Sequence, residues 1–203
     1  MYHITSSQRP ARSGYTLIEL LITIAILGIS SAVLIPQMGN LSALEAQAAV
    51  RTIIADLSFA QSDALANQEF RRVHFYPDGS GYCLIRVAEG DFFKAFDYSD
   101  AAPVADAPEY IIDPLGGAGL LERYIMNFDT DTRFKQVVIE SVVIDGNPLL
   151  PNGTDITYDS LGGTVQSPNT PGISGRIVVS STDERFEIII APFTGKLTVK
   201  RIP

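Results

Sequence analysis

The chain has 203 residues and a formal net charge of −8, with 23 acidic against 15 basic side chains. That balance argues against general nucleic-acid binding, which needs a basic surface to displace counterions from phosphates. Cys83 is the single cysteine, which excludes an intramolecular disulfide and a cysteine-based zinc site; in its strand-like run it reads as a small buried apolar residue.

Residues 1–14, MYHITSSQRPARSG, are polar, carry Arg9 and Arg12, and contain no acid. Residues 15–38 follow as YTLIELLITIAILGISSAVLIPQM, and from Tyr15 to Leu44 the one charged side chain is Glu19. As a helix, such a run reaches across a hydrocarbon layer of roughly 30 Å. The basic side precedes it, so the N-terminus is expected in the cytoplasm and the remainder outside. A secretory signal peptide would have a shorter apolar region ending at small residues; here Ser30, Ser31 and Ala32 lie inside the run. A plain signal anchor shares the hydrophobicity and the charge bias. Glu19 distinguishes the readings, because an ionisable group in a membrane segment is costly and calls for a cationic partner. If the chain is cut between Gly14 and Tyr15, the new amine of Tyr15 lies about one helical turn from Glu19.

Basic leader, Gly14, Tyr15 and then Thr-Leu-Ile-Glu-Leu-Leu resemble the N-terminal signal of type IV pilins and type II secretion pseudopilins. The resemblance implies that a prepilin peptidase cuts after Gly14 and methylates the amine of Tyr15. It also implies that Glu19 guides docking of the subunit into a growing filament. Pro36 matches the proline common in the second half of such segments, whereas Tyr15 departs from the usual Phe or Met. Gly28, Pro36 and Gly39 weaken or interrupt a helix. In the family this stretch can unwind as subunits pack; Gly28 equally permits close helix approach.

From Asn40 to Glu69 the sequence is amphipathic: Val50, Ile53, Ile54, Leu57, Ala60, Ala64 and Leu65 recur at helical spacing, with Glu45, Arg51, Asp56, Asp63 and Gln68 between them. Joined to the apolar run, this gives a helix from Tyr15 to Glu69, about 80 Å long at 1.5 Å per residue. The pattern then turns to strands. RRVHFY and YCLIRVA flank Pro77-Asp78-Gly79 as a hairpin. Residues 137–148 read as a strand ending at Asp145-Gly146, and DITYDSLGG as a shorter one. RIVVSS and RFEIIIA flank Thr182-Asp183-Glu184, and GKLTVKRI closes the chain. One long helix followed by antiparallel strands is an α+β arrangement, which the resemblance makes pilin-like. The expected layout is a leader (1–14), a transmembrane and assembly helix (15–38), an amphipathic helix (39–69) and an antiparallel β domain (70–203). The acidic, aromatic-rich stretch 88–113 reads as a loop anchored by its rings, or as a partner-contact insertion.

The order of helix, Tyr-Pro-Asp-Gly-Ser-Gly-Tyr hairpin, Ile-Thr-Tyr-Asp-Ser-Leu-Gly-Gly segment and terminal Thr194-Gly195-Lys196-Leu197-Thr198-Val199 is similar to the H-type minor pseudopilins and related minor pilins. The similarity implies a minor pseudopilin of a type II secretion system, anchored once in the bacterial inner membrane with a periplasmic C-terminal domain. Its implied partners are prepilin peptidase, other pilin or pseudopilin subunits, inner-membrane lipid and an assembly platform. The alternative is a minor pilin of a type IV pilus, including a DNA-uptake pilin. Lys196, Lys200 and Arg201 lie where such relatives carry basic residues, but loss of Arg9 and Arg12 with the leader makes the chain more acidic, and nucleic acid is not an expected partner. No HExxH, Walker, GxSxG or CxxC motif is present, so neither catalysis nor a cofactor is expected. His74 reads as a structural or surface residue. Asp129-Thr130-Asp131 lacks the rest of a calcium loop and reads as a turn. Asn152-Gly153-Thr154 reads as a chance glycosylation pattern.

Overall fold

The computed structural model describes residues 14–34, 41–99, 101–114, 123–145 and 154–203. The chain divides into two units, Met1–Leu41 and Ser42–Pro203. In the first, α1 runs over Leu17–Leu34, 18 residues, or about 27 Å. Among the described residues no helix is long and apolar enough to cross a membrane. The helix continues unbroken through Gly28. Pro36 and Gly39 lie outside the described residues, as does the junction on which a single helix over residues 15–69 would depend.

Helix α2 spans Leu41–Asn67, and all of it but Leu41 belongs to the second unit. Ala46, Ala49, Val50, Ile53, Leu57, Ala60 and Ala64 form its buried stripe, the 3.6-residue period of a helix covering a sheet. Two residues depart from the sequence pattern. Leu65 has the spacing of that stripe but is 56% exposed, and Asp56, in the sequence one of the polar positions, is 7% exposed. Leu65 directly follows the buried Ala64, and the last turn rotates it off the sheet. The helix stops through a Schellman arrangement: Gln68 takes φ 55°, and the N–H of Glu69 donates to the carbonyl of Ala64 at 3.3 Å. Arg71 then pairs with both Asp63 and Glu69, fixing the corner into the first strand.

Strands β1 (Phe70–Phe75) and β2 (Gly81–Val87) form the expected hairpin, with His74 opposite Cys83. Two short strands, β3 (Glu109–Tyr110) and β4 (Ile125–Asn127), also pair with β2. A second sheet begins with β5 (Val138–Asp145), while β6 (Asp155–Tyr158) returns to the first sheet and pairs with the free side of β1. A two-stranded ribbon joins β7 (Val165–Ser167) to β8 (Thr170–Pro171). The second sheet is completed by β9 (Ser174–Ser180), β10 (Arg185–Ile190) and β11 (Leu197–Ile202), in the order β11-β10-β9-β5. The pairings are antiparallel, giving an α+β domain. The main core joins α2 to both sheets through Ile53, Leu57, Val73, Leu84, Ile156, Ile177, Val179 and Ile188.

Gly79 ties the sheets together at the first hairpin. Its φ is +75°, and a Cβ there would overlap the carbonyl oxygen of Ile139 on β5. The acidic stretch after β2 does not run free. Cys83, Ile85 and Val87 form a separate apolar cluster with Phe70, Tyr76, Phe96, Tyr98 and Tyr110, and Phe92 is fully buried. The rings of this stretch therefore anchor it over the sheet, while Glu89, Asp91 and Asp97 remain exposed.

Candidate functional site

Gly14, Tyr15 and Glu19 fall together at the start of α1. Gly14 and Tyr15 precede the helix and are exposed, and a Cβ on Gly14 would meet nothing within 4 Å. The peptide bond between them is accessible. Thr16 begins the helix: its carbonyl accepts from the N–H groups of Glu19 at 3.1 Å and Leu20 at 3.2 Å. Its hydroxyl oxygen also accepts the N–H of Glu19 at 3.3 Å. Glu19 stands in the first helical turn, where a carboxylate is favoured by the helix dipole.

The local chemistry combines two features. One is the Glu19 carboxylate, an anion on the first turn that a cationic partner can reach. The other is a continuous apolar surface: Leu17 is 82% exposed, and Ile18, Leu20, Leu21, Ile22, Ile24, Ile26, Leu27 and Ile29 are each at least half exposed. Soluble monomers rarely expose a contiguous apolar surface of this kind, and such surfaces mark interaction sites. A Cβ on Gly28 would likewise meet nothing within 4 Å.

Elsewhere the described residues offer little chemistry. No group of three or more His, Cys, Asp or Glu side chains among them could hold a metal ion. His74 is buried, with Nδ1 2.5 Å from Oδ1 of Asp155, inside a packed sheet. Burial pushes the Cys83 thiol up to about 12, so it is not a nucleophile at neutral pH. Asp129 and Thr130 lie in an exposed turn whose amides are bonded to the Asn127 side chain. Asn152 and Gly153 lie outside the described residues. On the second sheet, Arg201 pairs with Glu184, Arg185 with Glu140 at 2.6 Å and Arg176 with Glu187 at 2.9 Å. Of the basic residues in the terminal segment, Arg201 is thus ion-paired, and Lys196 and Lys200 are exposed.

Sequence reasoning misses Thr16, although Thr16-Leu17-Ile18-Glu19 has the spacing of a capping box. It also misses the burial of Arg71, Arg72 and Asp155. Their long-range pairings leave no local signal: Asp63 reaches Arg71 from α2, and Asp155 reaches Arg72 from β6.

Residues 9–35 match the prokaryotic N-terminal methylation motif. No curated protein matches the chain. Among solved structures, the chain is similar to the minor pseudopilin EpsH of the Vibrio cholerae type 2 secretion system, with a TM-score of 0.47 and 11% identity over 77% of this chain and 97% of that one. It is also similar to the Pseudomonas aeruginosa type IV minor pilin FimU, with a TM-score of 0.39 and 16% identity over 78% of this chain and 89% of that one. At these scores neither likeness distinguishes a secretion subunit from a pilus subunit.

Proposed function

We infer that this chain, a member of the type IV pilin and pseudopilin family by its N-terminal methylation motif, is a minor pseudopilin of a type II protein secretion system. The observation that carries the reading is the motif on a capped, apolar helix whose sole charge is Glu19. Prepilin peptidase cleaves after Gly14 and methylates Tyr15. The segment 15–38 holds the subunit in the inner membrane, N-terminus in the cytoplasm, until it joins a short periplasmic filament. Burial of α1 among neighbouring helices drives that step by packing, and Glu19 sets register by pairing with an N-terminal amine. Unwinding at Gly28, Pro36 and Gly39 adapts the helix to the assembly. The protein acts as a structural subunit and performs no catalysis.

The hairpin at Tyr76-Pro77-Asp78-Gly79 and the Asp159-Ser160-Leu161-Gly162-Gly163 turn support the pseudopilin subgroup. The test is deletion of the gene in its source organism, followed by complementation. Loss of exported enzymes from the medium with surface pili intact supports the reading. Loss of pili or of DNA uptake with export intact assigns the chain to a type IV pilus instead.

A further inference from the structure

We propose that the outer edge of β11 is a docking site for an extended, acidic segment of another protein, which joins the second sheet as a further strand. β11 ends that sheet, in the order β11-β10-β9-β5, and β10 is its one strand neighbour among the described residues. The ladder between them fixes which backbone groups are already bonded. The N–H of Ala191 donates to the carbonyl of Lys196 at 2.9 Å, and hydrogen-bonded pairs alternate along an antiparallel ladder. Thr198, Lys200 and Ile202, opposite Ile189, Glu187 and Arg185, therefore bond to β10. Leu197, Val199 and Arg201 turn their N–H and C=O groups away from it, to the open edge. Native sheets blunt such an edge with a proline, a bulge, a covering segment or charge. Leu197–Ile202 contains no proline, and its register with β10 is unbroken. Thr198, Val199, Lys200 and Arg201 are exposed.

The device present is charge, and it selects the occupant. Lys200 on the edge and Lys196 just before it are exposed. In an antiparallel pairing of two copies of β11, Lys200 comes opposite or diagonal to a lysine of the other copy, which disfavours self-association. A carboxylate in the same place is attracted instead. The two faces of β11 suit different residues. Val199 lies opposite Ile188 and Leu197 opposite Ile190, both buried in the main core. This face of the strand continues the core to its rim, where Val199 is 42% exposed. Thr198 and Lys200 lie on the other face. A strand that bonds to Leu197, Val199 and Arg201 therefore fits best with apolar residues beside Val199 and acidic residues beside Lys200, in alternation. The row of outward N–H and C=O groups matches a polypeptide rather than a nucleic acid, whose approach the net charge of −8 also opposes. The edge has this chemistry whichever assembly the subunit joins.

Residue-resolved hydrogen exchange of the full-length chain in detergent tests this, with an end-capped seven-residue peptide of alternating Val and Glu as the probe. Without peptide, the amides of Leu197, Val199 and Arg201 should exchange faster than those of Thr198 and Lys200. Peptide in large excess should slow the first three by about tenfold or more and leave the protection of β9 unchanged, a change confined to the edge. A peptide with Lys in place of Glu should bind more weakly, by about twofold or more, the scale of exposed ion pairs. Val199→Pro removes an outward N–H without touching the β10 ladder. It should abolish the slowing at Leu197 and Arg201 while β9 stays protected. No slowing with the Val-Glu peptide, equal slowing in folded Val199→Pro, or equal binding of the Lys peptide overturns the proposal. Protection of the edge by a duplex oligonucleotide and not by the peptide does the same. If Val199→Pro fails to fold, the exchange of the unaltered chain with and without the two peptides decides alone.

Discussion

The hydroxyl oxygen of Thr16 accepts the backbone N–H of Glu19 at 3.3 Å, so the residue just before α1 caps the turn that carries the side chain assigned to assembly. Replacing Thr16 with Ala should loosen the first turn by about 1 kcal/mol, read as faster amide exchange at Glu19 and Leu20, whereas Thr16→Ser should retain the cap. Glu19→Ala should leave cleavage after Gly14 intact and sharply reduce recovery of the subunit in the assembled fraction. Normal recovery would remove Glu19 from assembly.

Asp56 is buried on α2 and accepts hydrogen bonds from the hydroxyls of Tyr82 at 2.5 Å and Tyr124 at 2.9 Å. Desolvation nevertheless holds its carboxyl above the usual range, the two tyrosine bonds opposing that shift only in part. The folded chain therefore binds this proton more tightly than the unfolded chain. The contribution of Asp56 is fully favourable below the ordinary aspartate value and is lost as pH rises through the raised value. Asp56→Asn should flatten the stability profile across that window in denaturant titrations at several pH values. Tyr82→Phe should cost about 1–3 kcal/mol by leaving a buried acceptor short of a donor.

Gln68 holds a left-handed conformation at φ 55° to end α2. Gln68→Gly relieves a steric cost of about 1–2 kcal/mol per non-glycine residue in that region, partly offset by the greater freedom of glycine in the unfolded chain. A rise in the thermal midpoint is expected.

Gly79 cannot accept a side chain. Its φ of +75° and the carbonyl of Ile139, which a Cβ would overlap, both oppose substitution. Gly79→Ala should destabilise the β domain by about 2 kcal/mol or more, measured by denaturant unfolding.

What is legible in the sequence is local. Gly14, Tyr15 and Glu19 lie within six consecutive positions, and the hairpins around Gly79 and Asp183 carry their own turn chemistry. The short strands β3, β4, β7 and β8 are not legible, because two or three residues show no periodicity and exist only through their partners. Arg71 and Arg72 look like surface residues in a strand, and His74 reads as either structural or surface. They are buried because Asp63 closes the corner from α2 and Asp155 arrives 81 positions after His74. Asp56 reads as a polar position for the same reason: Tyr82 and Tyr124 come from elsewhere in the chain. Leu65 shows the converse, an apolar residue at helical spacing that the final turn of α2 leaves in solvent.

The central claim is that the N-terminal motif is a processed assembly signal, and mass spectrometry of the mature protein from membranes of the source organism tests it most directly. The account predicts a chain beginning at Tyr15 and carrying one methyl group on its α-amine. A chain that retains residues 1–14, or one cut within α1, would contradict it.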